Sequence, residues 1–166
     1  MKLFLLINFI VFQLCWFLAA IYQQSAVGVM LGLLCIHFAF SPTKLADIKV
    51  LPIALVGILV DQLLIHLHVI QLPVNTATPL VIPLTLVLLW CVFSWCFNHS
   101  LNWLTNISLK KAAVLGGVFG SLSYTSALKL DVFSSTLPLL YFVLIFTVIW
   151  TLLLPLFIRM HLFILK

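Results

Sequence analysis

The stretch LPIALVGILVDQLLIHLHVI, residues 51–70, decides the fold. It is long enough to cross a hydrocarbon core, which takes roughly 20 apolar residues as a helix. Yet it carries Asp61, Gln62, His66 and His68. A charged Asp near the bilayer centre costs about 2.5–3.5 kcal/mol on insertion scales. Asp61 therefore needs a partner, whether it is ionised or protonated. Gln13, at similar depth in the first apolar run, is the nearest candidate by level. By helical spacing, Gly57, Asp61 and His68 share one face, and Gln62 and His66 share a neighbouring one.

The remainder of the chain is as apolar as this stretch. Of 166 residues, 65% are hydrophobic and 7% charged, and the mean hydropathy is +1.34. A soluble domain carries charge on roughly a quarter of its residues, so the chain reads as an all-α polytopic membrane helix bundle. The alternation of a membrane barrel is absent. Six spans are expected within a single domain over residues 1–166, at about 3–21, 25–40, 51–70, 80–97, 111–128 and 138–158. The connections between them are too short to form a soluble domain, and Pro42 and Pro52 punctuate the one that joins the second and third spans.

The basic residues set an orientation. With the N-terminus in the cytoplasm, Lys2, Lys44, Lys49, Lys110, Lys111, Arg159 and Lys166 fall inside and Lys129 alone outside. That asymmetry follows the positive-inside rule and places both termini in the cytoplasm. It also accounts for the net charge of +5 without nucleic acid as a partner. Gly28 and Gly32, and in the fifth span Gly116, Gly117 and Gly120, recur at helical spacing and are expected to pack helices within the chain. Cys15, Cys35, Cys91 and Cys96 read as small buried apolar residues.

Two further polar groups stand out. At the inner end of the fourth span, Asn98, His99, Ser100 and Asn102 follow, with Trp95 and Trp103 alongside, and His37 lies at comparable depth. They read either as an interfacial segment facing headgroups or as a headgroup or acyl-substrate site. Lys110 and Lys111 nearby would attract anionic lipid. Toward the outer end of the fifth span come Ser121, Ser123, Tyr124, Thr125 and Ser126, with Tyr124 in reach of the level of His66 and His68. No metal-ligand spacing, phosphate loop or nucleophile elbow is present, so no metal, cofactor or catalytic residue is assigned.

The segments NFIVFQLCWF, GILVD, LLWCVFSWCFNHSLNWL and GGVFGSLSYTSALKL occur in this order, with Asn8, Phe12, Gln13, Trp16, Phe17, Gly57 and Asp61 among their residues. In this combination the chain resembles the bacterial membrane family called domain of unknown function 2878, over nearly its whole length. Family members often carry Gly-Pro before the Tyr of the last segment. This chain has Gly120-Ser121 there, so the kink a proline brings is not implied. The resemblance implies a small inner-membrane protein of proteobacteria with no assigned activity. It also implies a neighbourhood of genes for fatty-acid modification, such as methyltransferases acting on phospholipid acyl chains.

Three functions are compatible with these readings. The first is an accessory protein that organises membrane lipid for acyl-modifying enzymes. It fits the interfacial polar and Trp residues and the scarcity of acid–base groups. The second is a small proton-coupled transporter or flippase using Asp61. The third is an intramembrane enzyme using Asp61, His66 and His68. The order given is the order of expectation, with a non-enzymatic role first, because no reacting group stands within reach of a general acid or base.

Overall fold

A computed structural model describes residues 2–73 and 81–166. Among these, seven α-helices appear: α1 (Lys2–Tyr22), α2 (Val27–Phe40), α3 (Lys44–Lys49), α4 (Leu51–His66), α5 (Leu84–Cys96), α6 (Leu109–Lys129) and α7 (Leu139–Ile164). Short 3-10 turns occupy Gln23–Ala26 and Asn102–Asn106. The architecture is all-helical, as hydrogen-bond satisfaction in lipid requires. Three stretches are long and apolar enough to cross a membrane: Leu3–Phe40, Lys44–His66 and Leu139–Ile164. Leu84–Cys96 is apolar but shorter.

The first of these stretches is a hairpin and not one rod. Gln23 adopts a left-handed backbone (φ 46°), and α2 folds back so that Asn8 meets His37. The chain also leaves helix through His68 (φ 57°) and Asp131 (φ 55°). Each of these turns carries a local backbone penalty that the surrounding contacts must offset. Gln71 and Ser134 exchange main-chain hydrogen bonds of 2.8 and 2.9 Å, tying together the two connections at that end.

Several expectations are corrected. The third run ends at His66 and not at residue 70. His68, past the turn, no longer shares a face with Gly57 and Asp61. The connection at 41–52 contains α3, which carries a buried Asp47. The start of the fourth expected span at residue 80, and the connection at 74–80, lie outside the described residues. Cys15 and Cys96 are buried, whereas Cys35 is exposed on the outer side of α2. Gly28 and Gly32 share that outer side. A methyl group at either would meet nothing within 4 Å, so they do not pack helices within the chain.

The glycines of α6 behave differently. α6 runs unbroken through Gly120-Ser121 and lies antiparallel against α7. A methyl on Gly116 would overlap the main-chain oxygen of Trp150, and one on Gly120 the Trp150 indole. The α6–α7 pair meets the other helices mainly through aromatic rings. Trp90 of α5 stacks on Trp150 of α7 at 5.8 Å and 11°, and Phe97 packs edge-on to Phe157. These bulky rings hold the backbones apart and leave space beside them.

Overpacking a close helix contact costs about 1–3 kcal/mol, whereas glycine in an open helix position is worse than alanine by roughly 0.5–1 kcal/mol. Gly116→Ala is therefore expected to lower the thermal midpoint of the detergent-solubilised protein, and Gly32→Ala to raise it slightly. A circular-dichroism melt of both variants checks the pair.

Candidate functional site

Asp61 is fully buried, and its two carboxylate oxygens have separate donors. The Trp90 indole N–H donates to Oδ2 at 2.6 Å, and the Tyr124 hydroxyl donates to Oδ1 at 2.5 Å. One carboxylate thereby joins α4, α5 and α6. Gly57, one turn before Asp61, makes this possible, because any side chain there would overlap the Trp90 ring. Tyr124 is held from its other side by Phe146, stacked at 4.2 Å.

Trp90 and Tyr124 also line a partly open cavity of about 700 Å³. Its floor comes from α5 (Leu86, Leu89, Phe93) and its walls from α1 (Phe12, Gln13, Trp16) and α6 (Leu115, Ser123, Ala127). Phe9 and Phe17 on one wall and Phe119 and Leu122 on the other are exposed. The cavity is thus a groove that opens sideways between α1 and α6. Trp16 Nε1–H donates to Ser123 Oγ at 3.0 Å and bridges the two walls. From Leu115 to Ala127 the groove follows α6 for roughly 18 Å at 1.5 Å per residue. That exceeds one leaflet's share of a hydrocarbon core of roughly 30 Å.

A second polar group lies at the C-terminal end of α5. Asp47 is fully buried. Its carboxylate accepts from Ser41 Oγ, from Asn98 Nδ2 at 2.8 Å and from His99 Nε2 at 3.0 Å, while its main-chain oxygen accepts from the Trp95 indole at 3.1 Å. Because Asn98 turns its amide nitrogen to Asp47, its oxygen faces His161, whose Nε2–H donates to it at 2.9 Å. Asn8 orders the other side. Its oxygen accepts from the Ser100 main-chain N–H at 3.2 Å and from the Ser100 hydroxyl at 2.5 Å. Its amide nitrogen then donates to His37 Nε2 at 3.0 Å. His37 is therefore neutral with its proton on Nδ1, and its ring stacks on Trp95 at 5.1 Å and 8°.

The sequence candidates are distributed unevenly over these two groups. Asp61 stands at the groove, but its partners are Trp90 and Tyr124. Gln13 lines the groove without bonding to Asp61. Neither is joined by the histidines, since His66 and His68 are both exposed. Gln62 turns elsewhere, accepting the Ile82 N–H at 2.9 Å. At the other end, Asn98, His99 and His37 do converge, with His37 and His99 ring centroids 5.6 Å apart. Asn102 and Trp103 are exposed and outside that group. Ser100, read with Asn98 and His99, joins through Asn8. Sequence reasoning missed Asn8, Ser41, Asp47 and His161 in this role. Asp47 carried a usable signal, as one of only three acids in the chain.

Fold and site define a helical membrane protein with a sideways-opening apolar groove beside a buried, fully bonded carboxylate. The sequence matches the family described as Protein of unknown function (DUF2878) over residues 5–156, and the chain belongs to that family. No curated protein and no solved structure matches it.

Removing the Asp61 acceptor strands two buried donors, each at about 1–3 kcal/mol. Asp61→Leu is expected to unfold at markedly lower temperature or denaturant than the native chain. Asp61→Asn is expected to be milder, because the Tyr124 hydroxyl can reverse and accept from the new amide. Denaturant titration of the two variants in micelles orders them.

Proposed function

We propose that this protein is a non-catalytic, lipid-binding accessory protein of the bacterial inner membrane, one that takes an acyl chain into its groove and holds it for acyl-modifying enzymes. The observation that carries the reading is the groove between α1 and α6. Its volume falls within the roughly 300–1,000 Å³ usual for small-molecule sites. Aliphatic and aromatic side chains dominate its lining. Its mouth opens where exposed Phe9, Phe17, Phe119 and Leu122 form an apolar outer surface suited to lipid. A chain entering from the membrane side would exchange lipid for protein contacts without crossing water.

The occupied state of Asp61 favours this reading over a proton-coupled transporter, a flippase or an intramembrane enzyme. Both oxygens already serve protein donors, so the carboxylate acts as a brace behind the groove wall. Asn98, His99 and His37 are likewise bonded inward. The six-span arrangement, with both termini in the cytoplasm, belongs to the same proposal. It is supported by seven basic residues that alternate topology would collect on the side of the Asp47 group.

Four of the five tryptophans, Trp16, Trp90, Trp103 and Trp150, line the groove. In a Trp103→Phe background, which removes the exposed indole, bromostearate is expected to quench the buried Trp90 and Trp150. Narrowing the groove with Ala19→Phe and Ala127→Phe is expected to abolish that quenching. Quenching that is absent, or indifferent to the fillers, would overturn the binding reading. In cells, deletion of the gene is expected to alter the phospholipid acyl profile. Native protein and Asp61→Asn, at matched membrane levels, should both restore it, whereas a proton-coupled mechanism demands that Asp61→Asn fail. A cytoplasmic reporter fused after Lys166 is expected to be active if the topology holds.

A further inference from the structure

Gln13 sits midway along α1 and lines the groove. It was the natural partner for Asp61 by depth, but Asp61 is satisfied from α5 and α6. Gln13 is half-buried, open to the groove, and among the described residues its side chain forms no hydrogen bond. Phe12, Phe93 and Trp90 line the same groove, with Phe93 in ring contact with the other two. Trp16, one turn further on, has already spent its N–H on Ser123. A primary amide carries two donors and an acceptor. Left unpaired in apolar surroundings without water, each such polar group costs several kcal/mol. A leucine or methionine would fill the same volume without that penalty. The amide therefore calls for a partner that the protein does not supply.

We propose that Gln13 recognises a hydrogen-bonding group near the middle of the bound acyl chain, so that the groove selects chains bearing a mid-chain oxygen function such as a hydroxyl or keto group over plain saturated ones. This rests on the groove binding an acyl chain, and it adds the chemical class of that chain. The position follows from the geometry. The groove runs from the level of Trp103 and Leu104 at one end to Gln23 and Gln24 at the other. Gln13 lies between them, so a chain filling the groove from either end presents its middle to the amide. One oxygen atom on the chain can accept from the amide nitrogen, and a hydroxyl can also donate to the amide oxygen.

The test is displacement of bromostearate from the purified full-length protein in micelles, read by recovery of tryptophan fluorescence. Stearate is compared with a hydroxystearate substituted at mid-chain. Native protein is expected to be half-displaced at about a fivefold lower concentration of the hydroxylated chain, the worth of one net hydrogen bond. Gln13→Leu is expected to lose the preference and to be half-displaced by the two acids at the same concentration. Gln13→Met provides an unbranched replacement should leucine disturb α1. Equal displacement by the two acids in native protein, or a preference that survives both substitutions, would overturn the role of Gln13 while leaving the groove as a chain site. No bromostearate quenching in native protein at all would instead defeat the underlying binding reading, and this inference with it.

Discussion

The bond between the Asp61 carboxylate and two ring systems is the constraint on which the arrangement of helices depends. A carboxylate buried this deeply must have its lone pairs met. Here they are met by an indole and a phenol from two different helices. Each ring is then immobilised by a stacking partner on α7, Trp150 for Trp90 and Phe146 for Tyr124. The polar bond sets where the rings point, and the rings set how far α6 and α7 stand from α5. Gly57 and Gly120 are consequences of the same geometry, since each gives way to a Trp ring at closest approach.

The groove is what this spacing leaves behind. Helices in lipid gain little from apolar burial and associate through close packing and hydrogen bonds. α6 and α7 obtain that packing from each other, through Gly116 and Gly117. Their contact with the rest is made by large rings on one side only, and the opposite side of Trp90 faces open space toward α1. The Asp47 group closes the other end of the bundle by different means. There, short side chains and histidines bond into two adjoining groups, one around Asp47 and one around Asn8, which meet where the His37 ring stacks on Trp95. The bundle is therefore knitted by polar bonds at one end and braced by aromatic rings in the middle, with a sideways-opening gap between α1 and α6.

The candidate sites were legible in part. Asp61 stood out because an acid within an apolar run must be explained. Tyr124 reads from the sequence only as reaching the level of His66 and His68, and its bond to Asp61 is decided by the packing of α6. Trp90 did not, because tryptophan in a membrane protein reads first as an interfacial anchor. His66 and His68 misled for the opposite reason: spacing placed His68 on the Asp61 face only if the helix continued, and it ends at His66. Asp47 was hidden by its flanks. Between Pro42 and Pro52, SPTKLADIKVLP reads as a connection, yet the short α3 turns its one acid inward to Asn98 and His99.

By itself the sequence determined the helical, membrane-embedded class, the approximate bounds of the long apolar runs, and the requirement that Asp61 be bonded. Those follow from composition, from the length of uninterrupted apolar residues, and from the cost of an unmet charge in hydrocarbon, all of which are local properties of the chain. The tertiary structure alone decided which groups do the bonding, that Gly28 and Gly32 face outward while Gly116 and Gly120 face α7, and that a groove lies between α1 and α6. Such pairings join residues far apart in the chain. Their choice is set by which helices the connecting turns bring side by side and by how the Trp and Phe rings fit between them, and neither is written in any one segment.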